Sequence, residues 1–586
     1  MPESSVPAPL VPTLSASEPP SFQSPASQSS SFASQASTLP ASESLAADPH
    51  AGVASIHGVA PRPPLPTIEC DLLVVGAGIN GAGIARDAAG RGMSVVLCDK
   101  DDLGAHTSSA STKLIHGGLR YLEQAKFSLV RKALIEREVL LRSAPHIIWP
   151  LRFVMPHDPG QRPAWLIRTG LFLYDRLAPR RMLPDSGAID LARHAAGAPL
   201  RQSFHRGFVY SDCWVDDARL VVLNVMDAAE KGAQVFTRMR CDSLQQHEGK
   251  WQAQLLSHEG RSMQVHAGCV VNATGPWAAQ FLSQTAAQKS RHRLRLVKGS
   301  HIVVKNLFAH EYAYIFQHID GRIVFAIPYE SNFTLIGTTD LEYVGDPDHV
   351  AADNQEVAYL CELANHYFKQ AITPGDVVWS YSGVRPLLQD ESSKASAVTR
   401  DYTLAFDAGQ APLLSVLGGK ITTFRKLAEE AVDLIVGKIV KKTSTHPAGR
   451  ASGWTGNACL PGGDLFGVTS DERSVLQFDD FVESSMRRYA FAPAPLIRRY
   501  TRAYGTRIHI LLAQCHATSD LGEELAPGLY AVEVRYLMRH EWARSAEDIL
   551  WRRSKLGLHL PPGTEAMLDE WMTHMADSSA NEQGGS

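Results

Sequence analysis

Residues 71–99 constrain the fold of this chain more than any other stretch. They read Asp71-Leu-Leu-Val-Val-Gly76-Ala-Gly78-Ile-Asn80-Gly81-Ala-Gly-Ile-Ala-Arg-Asp-Ala-Ala-Gly-Arg-Gly-Met-Ser94-Val-Val-Leu-Cys-Asp99. The apolar run Leu72–Val75 suits a buried parallel strand. Gly76 permits a tight turn, Gly78 lets the backbone approach a pyrophosphate, and Gly81 lets the next helix pack on the sheet. The N-terminus of that helix presents free N–H groups and a positive dipole end. Val95–Leu97 is the second strand, and Asp99 ends it where a ribose hydroxyl needs an acceptor. An ordinary glycine-rich turn between strand and helix would have no use for Asp99. The order predicts a strand–helix–strand unit that binds a dinucleotide.

The next segment is not a second unit of the same kind. It is Asp102-Leu-Gly-Ala-His-Thr107-Ser108-Ser109-Ala-Ser111-Thr112-Lys113-Leu-Ile-His116-Gly117-Gly118-Leu-Arg120-Tyr121-Leu122. Small hydroxyl residues followed by paired glycines give a backbone that can lie against a flat ring and donate hydrogen bonds. That suits an isoalloxazine better than a mobile nicotinamide, although a solvated Ser/Thr loop would have a similar composition.

The run Thr107–Leu122 resembles the flavin-dependent sn-glycerol-3-phosphate dehydrogenases. The likeness continues in Tyr210–Leu220, Asn272-Ala-Thr-Gly-Pro-Trp277, Lys298–Ile302, Ile336–Asp340, Tyr381–Leu387 and Gly418-Gly-Lys-Ile-Thr-Thr423. It spans roughly Glu69 to Met572. Asp99 stands where the family more often has Glu, and the first sixty-odd residues match nothing in it. The resemblance implies FAD, a D-amino-acid-oxidase-like fold, sn-glycerol 3-phosphate as substrate and a membrane quinone as electron acceptor. The expected fold class is therefore α/β: a Rossmann-like FAD-binding domain, an inserted antiparallel substrate-binding sheet and an α-helical C-terminal domain.

A chain of 586 residues can bury more than one core. Its net charge of −4 gives no case for nucleic-acid binding. The eight cysteines are scattered, with no CxxC and no His/Cys pair at metal-ligand spacing, and read as reduced thiols of a cytosolic protein. No metal is expected, and without an iron–sulfur cluster electrons must leave the flavin directly. Residues 1–66 are dominated by Ser, Ala and Pro, and their only Lys or Arg is Arg62. Such a stretch cannot offset its ordering entropy, and it suits neither an Arg-rich presequence nor a signal peptide. The expected organisation is a disordered extension over 1–66, the FAD-dependent region over 67–445, a helical domain over 456–576 and a disordered tail over 577–586.

Strand-like segments recur at Gln234–Thr237, Cys269–Val271, His301–Val304, Ile323–Ile327 and Thr334–Ile336. They suggest a substrate sheet inserted into a discontinuous flavin domain, whose middle part ends near Trp277 and whose closing part starts near Val377. A second cofactor signal lies in the closing part. Leu414–Leu417 is an apolar strand, Gly418 and Gly419 come directly after it, and Phe424, Leu427, Ala431 and Leu434 mark one face of a helix. A helix dipole there would favour negative charge on a reduced flavin, though a ligand-free connection reads the same way. Ser474–Arg488, Leu496–Cys515, Tyr530–Leu556 and Glu565–Met575 read as C-terminal helices.

On these motifs and on the resemblance, the expected cofactor contacts fall in four groups. They are Gly76, Gly78, Asn80, Gly81 and Asp99; Thr107, Ser108, Ser109, Ser111, Lys113, His116, Gly117 and Gly118; Thr274 and Gly275; and Gly419, Lys420 and Thr422. A substrate phosphate needs concentrated positive charge, and Arg supplies planar bidentate donors. Arg120 and Arg385 sit in glycine-containing loops, and Arg400 lies in Thr399–Tyr402. Hydride transfer to flavin also requires removal of the hydroxyl proton. His301 has a suitable pKa if little perturbed, but it alternates with apolar neighbours and equally fits a structural strand position. His116 and Tyr121 are further candidates, so the base stays unassigned. Lys420 could polarise the forming carbonyl or tune the flavin. Trp165–Leu177 and Arg180–Leu183 mix aromatic and basic residues. Patterning favours a core helix with snorkelling arginines, whereas the resemblance implies a peripheral protein on the inner face of the cytoplasmic membrane. A homodimer is compatible with the sequence. The rival readings are a glycerophosphate oxidase reducing O₂ to peroxide, an amine or amino-acid oxidase on the same fold, and a non-catalytic flavin-binding redox module.

Overall fold

The computed structural model describes residues 67–158, 162–286, 293–317, 322–388, 401–439 and 451–584. The extension over 1–66 and Arg400 lie outside the described residues.

The predicted unit forms the centre of the first sheet. Its strands run in the order Thr403–Asp407, Leu413–Leu417, Ser262–Asn272, Ile68–Val75, Val95–Cys98, Gln234–Phe236, and the hairpin Met239–His247/Lys250–Ser257 adds to Ser262–Asn272. The four inner neighbours pair in parallel, with Val75 opposite both Asn272 and Cys98. Leu72, Leu73 and Val74 are fully buried because helices cover one face and the hairpin covers the other. Helix Phe424–Ile439 buries Phe424, Leu427, Ala428, Ala431, Val432 and Ile435, so the apolar stripe bends to Ile435 and leaves Leu434 exposed.

The second sheet has ten strands, ordered Leu341–Glu342, Leu294–Lys305, Phe333–Gly337, Ile323–Tyr329, Ala313–Gln317, Ile148–Pro156, Arg206–Val215, Leu114–Ile115, with Val377–Leu388 and Gly187–Asp190 added at branches. It is antiparallel except where Ala313–Gln317 meets Ile148–Pro156. Two differences from the sequence-based expectation matter. The insertion comes in two pieces, because Ile148–Pro156 and Arg206–Val215 leave the first sheet before Gln234–Phe236. And Val377–Leu388 belongs to the second sheet, in register with Leu294–Lys305, so the flavin-domain sheet resumes only at Thr403. Periodicity shows that a segment is a strand but not which sheet takes it.

The C-terminal residues form a separate core around Phe481, Ile497, Tyr500, Val534, Leu537 and Leu568. Its helices are broken more often than their periodicity suggests: Arg473–Leu476 and Phe478–Arg488 replace one helix, and Tyr530–Leu556 resolves into Ala531–His540 and a π-helical turn, Asp548–Arg553. The last helix runs Thr564–Gly584, through polar residues expected to fray, since neither Pro nor Gly interrupts it before Gly584.

Candidate active site

The first strand delivers the chain into a turn that two glycines make possible. Gly76 has φ +103°, and a Cβ there would lie 2.6 Å from the Ala273 carbonyl oxygen. A Cβ on Gly81 would lie 1.9 Å from the Gly76 carbonyl oxygen, so Gly81 packs against the turn rather than facing a ligand. Gly78 differs. The single atom within 4 Å of its would-be Cβ is Ser108 Oγ, at 3.1 Å. Asp99 accepts hydrogen bonds from the backbone N–H of Ala77 (2.6 Å) and of Asp101 (2.9 Å), and burial pushes its carboxyl up to about 6. Each oxygen keeps a further lone pair for a ribose hydroxyl.

Gly76, Gly78, Asp99 and Ser108 line a cavity of about 1020 Å³ that also takes in Thr274, Gly275, Trp277, Arg385 and Gly418–Thr422. Its length and mix of backbone and side-chain donors fit a dinucleotide. Asn80, on its wall, donates to the Gly418 carbonyl (3.2 Å), while its buried Oδ1 has no partner among the described residues. A buried acceptor left unsatisfied in a cleft points to a missing donor.

The loop 107–118 divides between the cavity and its own support. Thr107, Ser108, Ser111, Thr112 and His116 line the cavity. Ser109, Lys113, Gly117 and Gly118 do not. Lys113, left-handed at φ +60° and buried, donates to Asp217 (2.7 Å) and to the Ser109 carbonyl (3.1 Å). Ser109 Oγ donates to the His106 carbonyl, and Gly117 N–H to Tyr174 Oη. Ser111 also donates to Asp217 (2.7 Å), from beside the cavity. Unpaired burial of the Lys113 ammonium would be costly, so its charge is spent on Asp217.

Further cationic side chains lie on or beside the cavity wall. Arg385 lines the cavity and donates to Asp340 (2.7 Å) and Thr338 (3.3 Å). Lys420 Nζ lies over the Tyr121 ring, 3.8 Å from its centroid. Arg120 shares the short turn Leu119–Leu122 with Tyr121, is half-buried, and has no ion-pair partner among the described residues. His301 is fully buried on Leu294–Lys305 and does not line the cavity. Its Nε2 pairs with Thr112 Oγ1 (2.9 Å), its ring stacks on Tyr381 at 4.8 Å, and its Nδ1 has no partner among the described residues. Burial, then the nearby charges of Arg385 and Lys113, hold its pKa well below the ordinary imidazole value. The sequence reading made a useful pKa conditional on little perturbation, and this burial does not meet that condition. Alternation with apolar neighbours is the signal of that burial.

Sequence reasoning misses the latch over the Asp99 end. Lys100 Nζ sits 4.7 Å over the Trp277 ring and donates to Asp101 (2.6 Å) and Asp348 (2.5 Å); His106 bonds to Asp101 (2.7 Å). Asp348 is 248 residues away in sequence, so no local pattern reveals it.

A dinucleotide turn, a cleft walled by a glycine pair and a second sheet that brings Arg385 to its wall fit a flavoprotein oxidoreductase. Residues 71–425 match the family "FAD dependent oxidoreductase", and residues 454–582 match "C-terminal domain of alpha-glycerophosphate oxidase". The chain belongs to the FAD-dependent glycerol-3-phosphate dehydrogenase family, and its cofactor is FAD. It is 52% identical to the glycerol-3-phosphate dehydrogenase of Pseudomonas aeruginosa, over 87% of this chain and 96% of that protein. It is 48% identical to the D-erythritol 1-phosphate dehydrogenase of Brucella abortus, over 86% of this chain and 97% of that protein. The structure of the glycerol-3-phosphate dehydrogenase from Bacillus halodurans complexed with FAD superposes with a TM-score of 0.68 at 26% identity, covering 86% of this chain and 90% of that one.

Proposed function

We propose that this protein oxidises sn-glycerol 3-phosphate to dihydroxyacetone phosphate and passes the electrons to a membrane quinone. The observation that carries the reading is three cations on or beside the cavity: Arg385 and Lys420 on its wall, and Arg120 on the turn whose Tyr121 ring lies under Lys420. A phosphate dianion needs several charge-assisted donors in a partly buried site. FAD, when bound, supplies the hydride acceptor. Gly76, Gly78, Asn80, Asp99, Thr107, Ser108, Thr274, Gly275, Gly419 and Thr422 would hold it, with Lys113 and Ser109 fixing the loop from beneath. Arg385 would hold the phosphate, and Lys420 would stabilise negative charge developing on the substrate oxygen.

The hydroxyl proton would pass to His301 through Thr112 Oγ1, which lines the cavity and bonds to His301 Nε2. A histidine whose pKa is depressed is charged only in acid. The kcat/KM profile is then expected to show no His301-dependent limb at pH 6–7. A limb in that window that vanishes in His301→Asn would show that His301 titrates near the ordinary imidazole range, and wild-type kcat/KM in His301→Asn would overturn its role as proton acceptor.

The relative named for D-erythritol 1-phosphate supports a second reading, since both substrates carry a phosphate beside a secondary alcohol. Anaerobic mixing with sn-glycerol 3-phosphate, D-erythritol 1-phosphate and glycerol separates them. The first is expected to bleach the flavin at the lowest concentration, and preference for the second would replace the substrate assignment. No bleaching by any of the three would favour a non-catalytic module or the oxidation of an amine. Peroxide formed in air, set against quinone reduced, tests the oxidase alternative.

The helix Ala164–Arg176 supports membrane association at the inner face of the cytoplasmic membrane. Leu171, Tyr174 and Asp175 face inward, while Trp165 and Phe172 are 70% and 62% exposed beside Leu166, Leu173, Arg168 and Arg176. Such a face lies in an interface rather than crossing it, and no helix among the described residues is long and apolar enough to cross a membrane. Trp165→Glu/Phe172→Glu is expected to abolish flotation with anionic vesicles and to leave soluble-acceptor turnover unchanged. Undiminished flotation would move the contact elsewhere.

A further inference from the structure

One short element of the C-terminal domain touches segments from both halves of the active site. The π-helical turn Asp548–Arg553 buries Arg552 and Arg553 against Asp102, which is itself 2% exposed. Arg553 forks onto both Asp102 oxygens, with Nη2 to Oδ1 at 2.8 Å, and Arg552 Nε donates to Oδ2 at 2.7 Å. Asp548 returns the charge to Arg552 (2.5 Å) and to Arg238 (2.8 Å). Between the two arginines and Asp548, Trp551 points the other way. It stacks on Trp379 at 4.6 Å, and Trp379 lies 4.9 Å from Tyr381 on the strand that also carries Arg385.

Both targets sit at decisive places. Asp102 lies among three hydrogen bonds that hold its segment to the phosphate turn. Asp99 grips the Ala77 N–H on one side, and on the other the Gly104 N–H donates to the Ala77 carbonyl (3.2 Å) while Ser108 Oγ accepts from Ile79 N–H. Tyr381 stacks on His301 and donates to the Ser111 carbonyl (2.9 Å). A buried ion cluster is a poor way to gain stability, because apolar side chains of the same volume do as well or better. Its fixed fork geometry gives direction instead. π-Helical turns are rare and concentrate near functional sites.

We propose that the C-terminal domain positions the active site through this turn: the Arg552/Arg553 fork sets the cofactor-binding segment through Asp102, and Trp551 sets the substrate strand through Trp379. These are positioning residues, and the two arms have separate signatures. The cofactor arm is read by titrating apoprotein with FAD and following flavin fluorescence. Asp102→Asn/Arg553→Met removes both charges together, so neither is left alone in the interior. It is expected to weaken FAD binding at least tenfold, while KM of the FAD-saturated enzyme moves less than threefold. The control is Glu541→Gln, which breaks the equally buried Arg219–Glu541 side-chain pair but keeps the Glu541 backbone carbonyl, which accepts from Arg553. It is expected to leave FAD affinity within threefold of wild type. The substrate arm rests on the proposed glycerol 3-phosphate activity. Trp551→Ala is expected to raise KM at least fivefold with FAD affinity unchanged, and Trp551→Phe to recover most of it.

Wild-type FAD affinity in the double variant would overturn the cofactor arm, and so would an equal loss in Glu541→Gln, since any loosening of the interface would then suffice. An unchanged KM in Trp551→Ala would overturn the substrate arm. If the double variant does not fold, Arg553→Lys keeps the charge and drops the fork; it is expected to weaken FAD about threefold, and no change would overturn the proposal. Because the titration needs no substrate, it stands even if wild-type enzyme ignores glycerol 3-phosphate.

Discussion

Gly78→Val should give a folded protein that does not retain flavin. The three glycines of the turn look alike in sequence but differ in what surrounds them. Gly81 cannot accept a side chain, since its Cβ would sit 1.9 Å from backbone. Gly76 needs its positive φ. At Gly78 the backbone is extended, with φ −74° and ψ 179°, so valine meets no conformational penalty. Its Cβ would lie 3.1 Å from Ser108 Oγ, a side-chain oxygen on the cavity wall, and Gly78 itself lines the cavity. The added methyls would occupy the space that the pyrophosphate needs to reach the helix N-terminus. Losing two such charge-assisted hydrogen bonds, at about 1.5 kcal/mol or more apiece, weakens binding by roughly 100-fold or more. The measurement is the flavin-to-protein ratio of purified variant by visible absorbance, beside circular dichroism as a check on folding. A full flavin complement in well-folded Gly78→Val would remove the pyrophosphate from this turn. Gly81→Ala serves as contrast, because it should fail at folding instead.

That contrast marks the limit of what the chain reveals unfolded. The turn, its strand and its helix are local, so 71–99 is legible residue by residue. The loop 107–118 is legible only as a whole. Lys113 and Ser111 share Asp217, more than 100 residues on, and Gly117 donates to Tyr174. Which members face the ligand depends on partners from helices distant in sequence. His301 shows the same limit. Its strand is apparent, but its depth comes from the register that sets it opposite Gly337 and Tyr381. Val377–Leu388 is readable as chain near the flavin, yet its pairing with Leu294–Lys305 moves it to the substrate sheet. The Trp551–Trp379 and Arg553–Asp102 contacts have no local signal, since a π-turn has no distinctive periodicity and charged pairs that close domain interfaces look like surface charge in sequence.

Arg385→Ala is expected to lower kcat/KM for sn-glycerol 3-phosphate by about 30- to 1,000-fold, corresponding to roughly 2–4 kcal/mol for a charged partner lost in a partly buried site. Two effects contribute, and they can be separated. One is loss of the phosphate contact. The other is local: Arg385 holds Asp340 at 2.7 Å, and that carboxylate, 12% exposed, would be left without its guanidinium. That carboxylate, no longer held by Arg385, would repel a dianion and shift the Thr338–Asp340 turn. Asp340→Asn in the Arg385→Ala background removes the second effect, so the activity it restores measures it. Glycerol isolates the first. It has no phosphate to misplace, and a fall caused by disturbed structure would appear on both substrates alike. The phosphate reading therefore requires the fold-loss on glycerol 3-phosphate to exceed that on glycerol by tenfold or more. Arg385→Lys should recover only part, because an ammonium keeps the charge but cannot span Asp340 and a phosphate with a planar fork. Equal losses on the two substrates would show that Arg385 serves the fold or the flavin, and would leave Lys420 and Arg120 to bind the phosphate.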